Sequence, residues 1–243
     1  MIATLPMYDF PELRAETDAL WQAIRRDLGD APDALDREID PWEAWQSPGL
    51  LLSQTCSLPF RKHLVGRVTL VASPDHALPG CAPGYYRSVL VARRDDARGL
   101  SDLLAARIAA NGTDSQSGYA ALMSHATGLG LHPSVALITG SHRASARAVA
   151  EGRADLAALD AQSWRLIARH DAAATALRVA DETAPSPALP YITARGRDPE
   201  RLRAALSAAI AALPQSSRDA LGLQGVVALP ERAYTALPLP PEC

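Results

Sequence analysis

Residues 111–119, Asn111-Gly112-Thr113-Asp114-Ser115-Gln116-Ser117-Gly118-Tyr119, set hydroxyls, an amide and a glycine between two apolar segments. The apolar run 107–110 precedes them, and an apolar-periodic stretch containing Ala120, Ala121, Leu122 and Met123 follows. That order predicts strand, polar turn and helix. A helix start leaves four backbone N–H groups without intrahelical acceptors, and the positive end of the helix dipole lies at the same place. Such a turn can hold an anion through neutral donors. Ser115 and Ser117 would offer hydroxyls, and Gln116 and Gly118 backbone N–H groups. Gly118, with no Cβ, would let a ligand come close to the chain. The same residues also suit an ordinary N-cap. Asp114 would repel an anion, so it is expected to face away or to take neighbouring N–H groups.

Similar junctions recur. Predicted strands 2–5, 50–52, 134–139 and 155–159 end at Tyr8, at Ser53 to Thr55, at Ser141-His142 and at Asp160. Further strands are predicted at 35–39, 68–72, 85–92, 177–180 and 191–194. Helices are predicted from Pro11 to Leu28 and over 59–64, 100–106, 144–151, 161–169, 199–213 and 216–221, with Asp9 capping the first and 41–46 a turn or short helix. Strands alternating with helices predict α/β architecture with mostly parallel sheets covered on both faces. Ligands of such sheets bind beyond the carboxyl ends of the strands. His142 can donate from its imidazole, or fill its needs locally at a helix start. Ser141 can cap the following helix. Asp160 can meet a ligand ammonium or cap the helix at Ala161. Tyr8, Tyr86 and Thr55 can offer hydroxyls to a ligand or serve packing. Trp42 and Trp45 read as core.

The chain of 243 residues has 48% hydrophobic and 21% charged residues, enough to bury a substantial core in one large unit or two smaller lobes. A formal net charge of −3, with Lys62 the only lysine, gives no basic field for nucleic acid. No apolar run approaches the roughly 20 residues that span a bilayer. Residues 1–8 lack a basic n-region and a cleavage site, so the sequence as written reads as cytoplasmic. Cys56, Cys81 and Cys243 lack metal-ligand spacing, and the six histidines form no HxH or HExxH pair, so neither metal nor cofactor is expected. A disulfide between Cys56 and Cys81 is open to the chain, leaving Cys243 free. No nucleophile elbow, Walker sequence or dinucleotide fingerprint occurs.

On residues 5–8 (Leu-Pro-Met-Tyr), Tyr85-Tyr86-Arg87-Ser88, 111–118 and 140–160, the chain resembles the PhnD-like phosphonate-binding substrate-binding proteins of ABC transporters. The resemblance implies the type 2 periplasmic-binding-protein fold, two α/β lobes joined by a two-stranded hinge, with a small phosphorus oxyanion held between them. Residues 1–85 with 191–243 would form one lobe and 86–190 the other. It also implies Tyr8, Thr55, Tyr86, Ser115, Gln116, Ser117, Gly118, Ser141, His142 and Asp160 as ligand contacts, an ABC permease as partner, a monomer, a periplasmic setting and no catalysis. The turn is Ser-Gln-Ser where many relatives carry a denser Ser/Thr run. The competing reading is a cytoplasmic enzyme or sensor on the same fold, of the pyrimidine-precursor-synthesis type. No DNA-binding helix-turn-helix precedes the lobes.

Overall fold

The computed structural model describes residues 1–240, so Cys243 lies outside the described residues. The strands are β1 (Ile2–Ala3), β2 (Leu50–Gln54), β3 (Val68–Asp75), β4 (Tyr85–Tyr86), β5 (Ser88–Arg93) and β6 (Ile108–Ala110). They continue as β7 (Val135–Ile138), β8 (Leu156–Asp160), β9 (Leu177–Glu182), β10 (Ser186–Pro187), β11 (Tyr191–Ala194) and β12 (Gly225–Val227). The chain forms two compact units. The first comprises Met1–Tyr85 and Pro187–Ala236; the second comprises Tyr86–Ser186 with the described terminal residues from Leu237. The chain leaves the first unit at β4 and returns at β10, and these two segments pair as a two-stranded sheet.

The first unit's sheet runs β1-β2-β11-β3-β12. Leu50, Leu51 and Leu52 are all buried, as a continuous apolar run requires of a strand covered on both faces. On one face, Leu20, Trp21, Ile24 and Leu28 of the helix Arg14–Leu28 pack with Leu202, Leu206 and Ile210 of the helix Pro199–Ala212. On the other, Trp45, Phe60, Leu64 and Tyr234 pack against Leu50 and Ile192. Each such side chain contributes about 1.5–3 kcal/mol on burial. Trp45 is core and donates from Nε1 to Ser53 Oγ at 3.2 Å, while Trp42 lies edge-on against it, half-buried.

The second unit's sheet runs β7-β6-β8-β5-β9, with Leu90, Leu103, Leu104, Ile108, Leu122 and Leu156 in its core. Pairing is mixed in both units. β1–β2, β6–β7 and β6–β8 are parallel, whereas β11 runs antiparallel to β2 and β3, and β5 to β8 and β9. The parallel arrangement expected from the sequence therefore holds for β1–β2, β6–β7 and β6–β8, and β12 also runs antiparallel to β3. β5 and β11, which follow the crossings, enter their sheets against the direction of their neighbours.

Three local expectations are corrected. Residues 35–39 form no strand: the Asp36 carboxylate accepts from the N–H groups of Glu38 and Ile39, each at 3.0 Å, and closes a turn. Asp9 does not cap a helix; Arg37 grips it at 2.7 and 3.2 Å. Cys56 and Cys81 are not bridged to each other; both are free and half-buried. Cys56 precedes the helical turn Ser57–Pro59, and Cys81 closes a turn by donating from its N–H to Leu78 O at 3.1 Å.

Candidate functional site

Three strand ends of the second unit meet in one polar locus. After β6 the chain turns through Asn111–Ser115 into the segment Gln116–Ala120, which continues as the helix Ala121–Gly128. The first turn is wide: Ala120 N–H reaches back five residues to Ser115 O at 3.0 Å. Wide turns of this kind concentrate at functional sites. Ser115 Oγ accepts from Gly118 N–H at 3.0 Å, using one lone pair and leaving its hydroxyl hydrogen available. Capping and donation to an anion are thus compatible in one side chain. Ser115, Gln116 and Ser117 are all buried.

Ser117 Oγ lies 2.9 Å from Nε2 of His142, the first residue of the helix His142–Ala150. The imidazole is enclosed although the residue as a whole is half-buried, and burial pushes its pKa down to about 4 against a weaker opposing contact with the Ala158 backbone. His142 is therefore neutral at pH 7. Which of Ser117 Oγ and His142 Nε2 donates depends on the imidazole tautomer; with the proton on Nε2, His142 donates and the serine hydrogen is left for another acceptor. Ser141 caps the same helix from an exposed position, accepting from Ala144 N–H at 3.1 Å.

Asp160 ends β8 and caps the helix Ala161–His170, accepting from Ser163 N–H at 2.8 Å, and is 1% exposed. Across the β5–β8 ladder it is the partner of Ser88. Ser88 Oγ donates to Ser117 O at 2.9 Å, and Ser88 N–H donates to Thr183 Oγ1 at 3.0 Å. Ser88 thereby ties the Ser115–Gly118 turn to the strand that carries Asp160. Sequence reasoning passed over Ser88 and Thr183; their signal was a hydroxyl at the buried end of a β-favouring run, too common to single out.

Gly118 also has a steric reason that its sequence does not show. A Cβ there would fall 1.8 Å from Asn111 Oδ1 and 3.3 Å from His142 Cε1. The glycine makes room for the Asn111 and His142 side chains. Asn111 Oδ1, pressed against it, has no hydrogen-bond partner among the described residues.

Of the remaining candidates, Tyr86 begins the second unit and is 1% exposed. Tyr8 and Thr55 belong to the first unit. Tyr8 takes a left-handed backbone (φ 66°), rare for a bulky residue, and its ring stands edge-on to His76 at 5.1 Å. Thr55 is fully buried; its N–H donates to Pro190 O at 3.0 Å and its hydroxyl to Cys56 O at 3.3 Å.

The family of ABC-transporter phosphonate-binding periplasmic substrate-binding proteins matches residues 66–232, more than half of the chain. The chain belongs to this family. Periplasmic capture of substrate for an ABC permease is the family's role, and no helix among the described residues is long and apolar enough to cross a membrane. The cytoplasmic reading of residues 1–8 gains no support from it. No curated protein sequence matches the chain. Among solved structures, the methylphosphonate complex of PhnD1 from Prochlorococcus marinus is 16% identical with a TM-score of 0.73, over 97% of this chain and 94% of that one. A binding-protein component of an ABC phosphonate transporter from Pseudomonas aeruginosa is also 16% identical, with a TM-score of 0.74 over 96% and 82%. XAC2383 from Xanthomonas citri, bound to chloride, is 18% identical with a TM-score of 0.68 over 98% and 95%. At these identities the likeness carries the type 2 periplasmic-binding-protein fold.

Proposed function

We propose that this member of the family captures a small phosphorus oxyanion (a phosphonate, phosphite or phosphate) without transforming it. The observation that carries the reading is the buried Ser115-Gln116-Ser117 turn, with its wide helix start and the neutral His142 on Ser117. Neutral donors in a buried setting hold an anion strongly while needing no counter-cation of their own. Gln116, Gly118, Ser141, Asp160 and Tyr86 complete the second unit's candidate contacts; Tyr8 and Thr55 are the candidates that belong to the first unit. Asp160, at the end of β8, would accept from an ammonium or a protonated oxygen of the ligand. The protein is proposed to act as a monomer that delivers its ligand to the permease.

A thermal-shift panel of methylphosphonate, 2-aminoethylphosphonate, phosphite, phosphate and sulfate tests the reading. A bound anion at about 100 times its dissociation constant stabilises by about 2.7 kcal/mol. Stabilisation by a phosphorus oxyanion and not by sulfate is expected; no shift with any member of the panel refutes it.

A further inference from the structure

The first unit holds a buried polar node that the ligand turn does not use. Tyr234, in the short helix Glu231–Thr235, is fully buried, and its ring stands edge-on to Phe60 at 5.2 Å. Its hydroxyl lies 2.9 Å from Ala188 O and 3.0 Å from Ser73 Oγ. Ser73 Oγ in turn donates to Gly84 O at 2.8 Å, and Ala188 N–H donates to the same carbonyl at 2.9 Å. Two hydroxyl hydrogens thus serve two carbonyls: Tyr234 supplies Ala188 O and Ser73 supplies Gly84 O.

Those carbonyls occupy special places. Gly84 immediately precedes the outgoing crossing β4, and Ala188 immediately follows the returning crossing β10. Gly84 has φ +81°, and a Cβ there would lie 2.2 Å from Val227 Cγ2 in β12. The chain after the return is gripped as well, since Gln54 Nε2 donates to Leu189 O and Thr55 N–H to Pro190 O, each at 3.0 Å. Phe60, under the Tyr234 ring, donates its N–H to Cys56 O at 3.1 Å, next to Thr55.

We propose that Tyr234 is a positioning residue: it clasps the roots of both crossings to the first unit, and so sets how readily captured ligand is released. The clasp stands on the geometry alone; its effect on release rests on the function proposed above. The phenol reaches the node from the C-terminal segment, after the chain has crossed out and back, so that segment closes the ring of hydrogen bonds around both crossings.

The test is Tyr234→Phe, which keeps the ring on Phe60 and removes only the hydroxyl, with Ser73→Ala as a second variant. Two readouts are taken well below the melting temperature: the dissociation rate of methylphosphonate, and amide hydrogen exchange at Ala188. We expect release faster by about tenfold, the scale of one lost buried hydrogen bond, with faster exchange confined to Ala188 and its neighbours. A lower melting temperature with release and Ala188 exchange unchanged overturns the proposal. If the wild type binds no anion, the functional reading fails separately and the clasp is judged on exchange: local acceleration sustains it, and no local change overturns it.

Discussion

Acid should destabilise this protein in a window set by His142. Its folded pKa is about 4 and its ordinary value 6.5, the difference arising from burial of the ring. Above pH 6.5 the imidazole is neutral in both folded and unfolded chains and contributes nothing to pH dependence. Between pH 6.5 and pH 4 the unfolded chain takes up a proton that the folded one refuses, so stability falls as pH falls. At about 1.36 kcal/mol per unit, about 2.5 units set a ceiling of about 3 kcal/mol, which solvent reaching the residue reduces. The perturbation is His142→Gln, which removes the titration and keeps a donor for Ser117. Urea unfolding at steps from pH 7 to pH 4.5 should show the wild type losing about 2–3 kcal/mol more than the variant over this window. Below it, Asp155 adds a second loss. Hydrogen bonds from Arg107 hold its carboxyl well below the usual carboxylate range, so that stability, present above the ordinary carboxylate pKa, disappears as pH falls through the folded one. Parallel pH profiles for wild type and His142→Gln, or an imidazole titrating near 6.5 by NMR, would refute the burial argument.

The turn yields further expectations. Ser117→Ala should weaken oxyanion binding at least tenfold by calorimetry with little loss of stability, whereas Ser115→Ala should also cost about 1 kcal/mol as a lost cap; unchanged affinity in both returns them to structural roles. Gly118→Ala should destabilise the fold and abolish binding, because Asn111 Oδ1 occupies the new Cβ position, and Asn111→Gly should recover part of the stability in chemical denaturation. Asp160→Asn should erase any preference for 2-aminoethylphosphonate over methylphosphonate, about 1.5–3 kcal/mol; a wild type that prefers phosphate or phosphite to both would instead leave Asp160 as a cap or an acceptor for a protonated oxygen. Intact mass and thiol titration should find Cys56 and Cys81 reduced, and a mass two hydrogens lighter per chain would contradict their free state.

The polar turn at 115–118 was legible because everything that forms it is local: a change of hydrophobic period, a capping hydroxyl and a helix start. The same holds for Asp160 and Ser141, each followed at once by its own helix. Other features were hidden because their causes lie far away in sequence. Ser88 acquires its role from Thr183, 95 residues on, and from Ser117. β12 exists only because β3 offers it an edge, with Gly225 to Val227 set against Asp75 to Ser73. At 35–39 the apolar ends suggested a strand, but one Asp36 carboxylate satisfied two backbone groups first. The steric demand on Gly118 was hidden, since its neighbour Asn111 comes into view only when β6 and the helix are folded together.

The wide first turn at Gln116–Ala120 separates two properties that an ordinary helix start would bind together. It carries one residue more than α geometry needs to close on Ser115 O. Removing one residue there would rotate Ser115 to Ser117 by about 100° relative to the helix behind them, since an α-helix turns once every 3.6 residues. The apolar face of that helix, anchored by Leu122 and Ala126 in the core, would stay where it is. The length of this turn therefore sets where the donors point relative to the packed face of the helix. Turn length is thus a variable to compare when members of this family prefer different oxyanions.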